Sequence, residues 1–95
     1  MAAYVLVDSE VTDPVRYEEY KRLARPAVEH HGGRFLARGG ATTVLEGAWQ
    51  PHRVVVMEFP DVETARRWYD SPEYQAAKAA RAGAAHMSMF VVEGA

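Results

Sequence analysis

His52-Arg53-Val54-Val55-Val56-Met57-Glu58-Phe59 is the stretch on which the fold turns. Its β-branched and aromatic residues, stopped by Pro60-Asp61, predict a strand. Side chains of a strand alternate between two faces, so a strand with one face in water should alternate apolar and polar residues. Val54-Val55-Val56-Met57 does not, because both parities are apolar. Tyr4-Val5-Leu6-Val7 and Met89-Phe90-Val91-Val92 share the property. The chain is therefore expected to build a sheet that is apolar on both sides.

The elements around these strands follow from their punctuation. Tyr4 to Val7 reads as a first strand. Asp13-Pro14 supplies an N-cap and a proline at the first helical position. Tyr17, Tyr20, Ala24, Ala27, Val28 and His31 then fall near one helical face, with Glu18, Lys21, Arg22, Arg25 and Glu29 opposite. Pro26 should kink this helix, since it lacks a backbone donor. Gly32-Gly33 should end it, the first glycine forming a left-handed cap. Arg34 to Arg38 predicts a second strand, stopped by Gly39-Gly40. Thr43 to Gly47 reads as a short strand or hairpin arm. Beyond the central strand, Asp61 caps a helix through about Tyr69. Ser71-Pro72-Glu73 restarts one that runs to about Ala82. Met87 to Val92 closes the chain as a strand.

The order is strand, helix, strand, twice over, and predicts an α+β fold of the ferredoxin-like βαββαβ type. Ninety-five residues make one domain, residues 1–95. In this topology both helical segments cover the same face of the sheet. The other face would be an apolar patch that soluble monomers rarely expose. A homodimer packed sheet against sheet is the expected remedy.

The bulk numbers exclude several classes. Thirteen acids against eleven Lys and Arg leave a formal charge of -2, with 48% hydrophobic and 25% charged residues. That balance offers no footprint for nucleic acid or an anionic membrane. There is no cysteine, hence no disulfide, thiolate metal site or cysteine nucleophile. Met1 to Asp8 lacks a basic leader and no run approaches membrane-spanning length, so a cytoplasmic protein is expected. The central strand lacks the basic and aromatic pattern of RNA-binding sheets. The glycine pairs do not form a phosphate loop. His52 and His86 have no metal-ligand spacing. No metal or cofactor is expected.

With the elements placed, a family pattern emerges. His31-Gly32-Gly33-Arg34-Phe35-Leu36-Ala37-Arg38-Gly39-Gly40 resembles the signature of the domain-of-unknown-function family 1330. Leu45-Glu46-Gly47, Pro51-His52-Arg53-Val54-Val55-Val56, Glu58-Phe59-Pro60, Ala65, Trp68-Tyr69, Ser71-Pro72-Glu73-Tyr74, Arg81 and Val92-Glu93-Gly94 continue the likeness. The resemblance implies a dimeric α/β barrel, two ferredoxin-like sheets facing each other, and implies no reaction. The wider superfamily includes cofactor-independent monooxygenases, isomerases, haem-handling enzymes and accessory proteins.

Candidate site residues are set against plainer roles. Arg34 and Arg38 are expected to share a strand face, where a guanidinium could hold a substrate carboxylate or enolate. An ion pair with Glu46 or Glu58 is the plainer role. Arg38 is the stronger candidate, because Gly39-Gly40 permits close approach. His31 ends the apolar stripe and is a candidate general base, or else a cap at the helix C-terminus. Glu46 is a candidate base if desolvated and a partner for Arg38 if not. Trp68, Tyr69 and Tyr74, with Tyr17 and Tyr20, could line an apolar pocket or simply pack the core. Arg81, late on its helix, suits the helix dipole as well as a ligand. Two functions are therefore expected to compete. One is a cofactor-independent enzyme, monooxygenase- or isomerase-like, on a small organic acid or polyketide-like molecule. The other is a non-catalytic ligand-binding or accessory dimer.

Overall fold

The computed structural model describes residues 1–95. Strand β1 spans Ala3–Val11, helix α1 Pro14–His30, β2 Arg34–Arg38 and β3 Arg53–Phe59. Helix α2 follows over Val62–Asp70, then α3 over Pro72–Ala80 and β4 over Ala85–Glu93. The sheet order is β2-β3-β1-β4, every neighbouring pair antiparallel. This is the ferredoxin-like arrangement, a helix layer on one face of a four-stranded sheet. The molecule measures 34 × 31 × 16 Å, a two-layer slab.

The helix boundaries follow the capping chemistry. Asp13 accepts from the Arg16 N–H at 3.2 Å and Asp61 from the Thr64 N–H at 2.7 Å. Helix α1 runs on through Pro26, which lies on the solvent side, where water can solvate the carbonyl it leaves unpaired. At its end Gly33 N–H reaches the Val28 carbonyl at 2.9 Å and Gly32 N–H the Glu29 carbonyl at 3.2 Å. These are the paired bonds of a glycine-capped terminus, with Gly32 at φ +79°. Gly33 is required for another reason. A Cβ there would fall 2.5 Å from the Phe59 ring and 2.8 Å from Val28.

The core lies between helices and sheet. Val5 and Val7 of β1 and Val55, Met57 and Phe59 of β3 meet Tyr17, Tyr20, Ala24, Ala27 and Val28 of α1, with Trp68, Tyr74 and Ala77 from α2 and α3. Trp68 is the hub, its ring centroid 4.4 Å from Tyr74 and 5.2 Å from Phe59. The opposite parity, including Tyr4, Leu6, Val54, Val56, Phe90 and Val92, lies on the open face. Phe90 and Val92 there are about half exposed.

Two expectations are corrected. Thr43–Gly47 is neither strand nor hairpin arm, but part of an irregular, exposed loop between β2 and β3. Both edges of β3 are already occupied, by β2 and β1, so the segment before it has no partner on that strand. Arg34 and Arg38 do not share a face. A bulge at Leu36 lets Phe35 pair with Met57 and Ala37 with Val56. One extra residue inverts the alternation, so Arg34 stays on the open face and Arg38 turns towards the helices.

Candidate functional site

A cleft of about 640 Å³ lies between α2, α3 and the outer strand β4. Its existence follows from the sheet order. Strand β4 is an edge strand, and the helix layer is centred on β1 and β3, so Met87, Met89 and Val91 on its helix-facing parity stay only partly covered. They form the floor together with Val5. Trp68, Tyr69 and Ala65 form the wall, and Arg66, Lys78, Arg81 and Asp70 stand around it.

The wall is shaped by the break between α2 and α3. Ser71 donates its hydroxyl to the Trp68 carbonyl at 2.7 Å and accepts the Tyr74 N–H at 3.1 Å. One side chain thus ends one helix and starts the next, fixing Trp68 and Tyr74 against each other. Behind the wall the Tyr74 and Tyr20 hydroxyls share a hydrogen bond at 3.0 Å. Burial, and then the neighbouring Tyr74 phenol, push the Tyr20 pKa far above the ordinary phenol value. Tyr20 is thereby held in its neutral form. It supports the wall and offers no base.

Arg81 lies over the Tyr20 ring, its guanidinium carbon 5.4 Å from the centroid. Burial works against its charge, but the oxygens of Tyr74 and Tyr20 more than offset this and hold its pKa above the ordinary value. Its Nε and the indole Nε1 of Trp68 are buried N–H donors with no partner. Unpaired buried donors each cost about 1–3 kcal/mol, and both belong to residues that line this cleft. Lys78 donates to the Tyr69 hydroxyl at 2.8 Å and keeps further donors for a ligand.

Trp68 and Tyr69 are thus brought to the cleft, and Tyr20 and Tyr74 stand behind it. The three residues considered for catalysis are not brought together. His31 faces outward, 27% exposed, sharing a hydrogen bond at 3.2 Å with Glu73, which also holds His30 at 2.8 Å. Arg38 lies under α1, on the far side of the core from β4. Glu46 is exposed in the β2–β3 loop and makes no pair with Arg38. Arg34 binds Glu58 at 2.7 Å on the open face, the ion pair weighed from the sequence. Arg66, Lys78, Met87 and Met89 went unrecognised in the sequence. The signal for Lys78 and Arg81 was their spacing from Tyr74, four and seven residues along one helix face. No group of His, Asp or Glu side chains is arranged to hold a metal ion, and no helix is long and apolar enough to cross a membrane.

Solved structures share this architecture. A protein of unknown function from Rhodopseudomonas palustris is 20% identical with a TM-score of 0.75, covering 99% of this chain and 82% of its own. A dimeric ferredoxin-like protein of unknown function from Jannaschia sp. CCS1 is 14% identical with a TM-score of 0.71, covering 99% and 100%. SnoaB, a cofactor-independent oxygenase from Streptomyces nogalater, is 14% identical with a TM-score of 0.68, covering 99% and 93%. At such identities the likeness concerns the fold. No curated protein matches the sequence. The family model described as a domain of unknown function, DUF1330, matches residues 2–95, and the chain belongs to that family.

Proposed function

We propose that this protein is a homodimer that binds a small, flat, partly apolar molecule carrying an acidic oxygen, in the cleft between α2, α3 and β4. The observation that carries the reading is the pair of unpartnered buried donors, Trp68 Nε1 and Arg81 Nε, in residues that line it. Aromatic rings and thioethers would take the apolar body, and Arg66, Lys78 and Arg81 would hold a carboxylate, phenolate or enolate. Dimerisation through the open sheet face would leave the floor and wall of this cleft free, because they lie on the helix side, with only Phe90 at the β4 edge shared by the two. The dimeric neighbour from Jannaschia supports the assembly by analogy of fold.

A catalytic version of the reading is favoured by the same cations. They stabilise a deprotonated substrate, the electron-rich state on which cofactor-independent oxygenation or isomerisation starts. The SnoaB likeness is consistent with it. Asp70 is the one carboxylate on the cleft and the candidate proton acceptor there.

The test is a thermal-shift and calorimetric screen of phenolic acids and cyclic β-diketones, each beside its methyl ether or ester. The acidic members should bind and the blocked ones should not. Trp68→Phe and Arg81→Met should each weaken binding about tenfold or more, the value of one hydrogen bond to a charged group. Binding unchanged in both variants, or no binding by any acid, would overturn the proposal. Oxygen uptake with a bound acid separates the catalytic version from simple binding.

A further inference from the structure

On the far side of the core from that cleft, we propose a second, independent site that binds a hydrophilic oxyanion, a phosphate or carboxylate group, between the guanidinium groups of Arg38 and Arg53. The register places them together. Arg38 pairs with Val55, and Arg53 lies two residues earlier on the same helix-facing parity of β3. The Leu36 bulge is what brings Arg38 to this face.

Each guanidinium is held by neutral groups alone. Arg38 donates to the Lys21 carbonyl at 3.2 Å and lies 4.4 Å from the Phe35 ring centroid. Arg53 donates to the Tyr17 hydroxyl at 3.3 Å and lies 5.5 Å from that ring's centroid. Neither makes an ion pair. Lys21, Arg22 and Arg25 line the same groove, and each is matched by an acid on its own helix. Arg38 and Arg53 are the unmatched pair, diagonal neighbours on adjacent strands whose like charges repel. Burial, then Arg53 and Arg25, hold the Arg38 pKa below its ordinary value, so the repulsion is felt at this site.

The backbone is adapted to the arrangement. Gly39 sits at φ +74°, and a Cβ there would come within 2.9 Å of Arg53 Nε. Any side chain would displace the guanidinium. What the site accepts follows from its lining. The groove is open, about 530 Å³, and lined by charged side chains, five cations against Glu18 and Glu29, with Pro26 beside them. The apolar crevice beneath is only about 20 Å³, room for one water and no hydrocarbon tail. The ligand is therefore a small hydrophilic anion or the charged end of a larger polar molecule, gripped by two planar forks.

Titration calorimetry with inorganic phosphate and with citrate, at fixed ionic strength against chloride, tests this on the intact chain. At least one anion should bind with a defined stoichiometry, and the one that does identifies the oxyanion. Arg38→Gln and Arg53→Gln should each weaken it tenfold or more, whereas Arg67→Gln on α2 should not. Should Arg53→Gln fail to fold, Arg53→Lys keeps the charge, loses the fork and should still weaken binding. No binding beyond chloride by either anion overturns the proposal, as does equal binding in the Arg38 and Arg53 variants. A failure of the β4 cleft to bind acids leaves this result untouched, since the two sites share no cation.

Discussion

Glu73 shows how much one side chain can organise. It holds His30 and His31 at once, tying the end of α1 to the first turn of α3, where its charge also suits the helix dipole. The hydrogen bond from His30, then that from His31, depress its pKa below the ordinary value of 4.5. A carboxylate depressed by folding stabilises the protein above its unfolded pKa, and the contribution is lost as pH falls through the folded one. Glu73→Gln should therefore melt below the wild type at pH 6, and the two curves should converge as the pH falls below 4.5 and through the depressed pKa of the folded carboxylate. A gap that persists in acid would show that the carboxylate charge is not what stabilises this joint. The effect is modest, because the group is half exposed.

Among the elements, the α2–α3 joint links local capping to the wall of the cleft. Ser71 is buried and occupied on both sides, by the Trp68 carbonyl and the Tyr74 N–H. Ser71→Ala removes the cap of α3 and leaves a buried N–H unpaired. A loss of about 1–2 kcal/mol is expected, which lowers the melting temperature by several degrees in a domain this size. Because Trp68 packs on Tyr74, the near-ultraviolet circular dichroism of Trp68 should change as well. An unchanged spectrum and midpoint would mean that packing alone holds the joint. The loop between β2 and β3 behaves differently. It is tethered across the open face by Asp8, which accepts from Trp49 Nε1 at 3.2 Å and from the His52 N–H at 2.8 Å.

At the scale of the whole molecule, the accessible surface is the informative quantity. It is 5968 Å² for 10.6 kDa, against about 5,500 Å² from the scaling of monomeric proteins. The surplus accords with an unpaired sheet face and a projecting loop on which Leu45 and Trp49 are largely exposed. Light scattering at micromolar concentration should return about twice the chain mass. Val56→Glu, a charge at the centre of the open face, should return a single chain that keeps its helical circular dichroism. A wild-type monomer would rule out the dimer.

The sequence by itself determined the four strands and the helices that form, their order and the two-faced sheet, though not that Thr43–Gly47 stays irregular. Those depend on local periodicity, caps and turn glycines, which need only nearest neighbours in the chain. Asp13, Asp61 and Ser71 cap as their side chains dictate, and Gly32 adopts the left-handed turn that its lack of a Cβ permits. Candidate residues in the core were legible for the same reason, Trp68 and Tyr69 at helical spacing among them. The rest was decided by tertiary structure. One extra residue at Leu36 turned Arg38 away from Arg34 and beside Arg53, and no residue type marks where such a bulge falls. The edge position of β4 opened the cleft and brought Met87 and Met89 to Lys78 and Arg81, a contact between elements that pattern along the chain cannot register. His31, Arg38 and Glu46 lie near one another in the chain but on different surfaces. Distance along a sequence constrains a helix turn or a cap, whereas a site is made by the register of strands and the packing of layers.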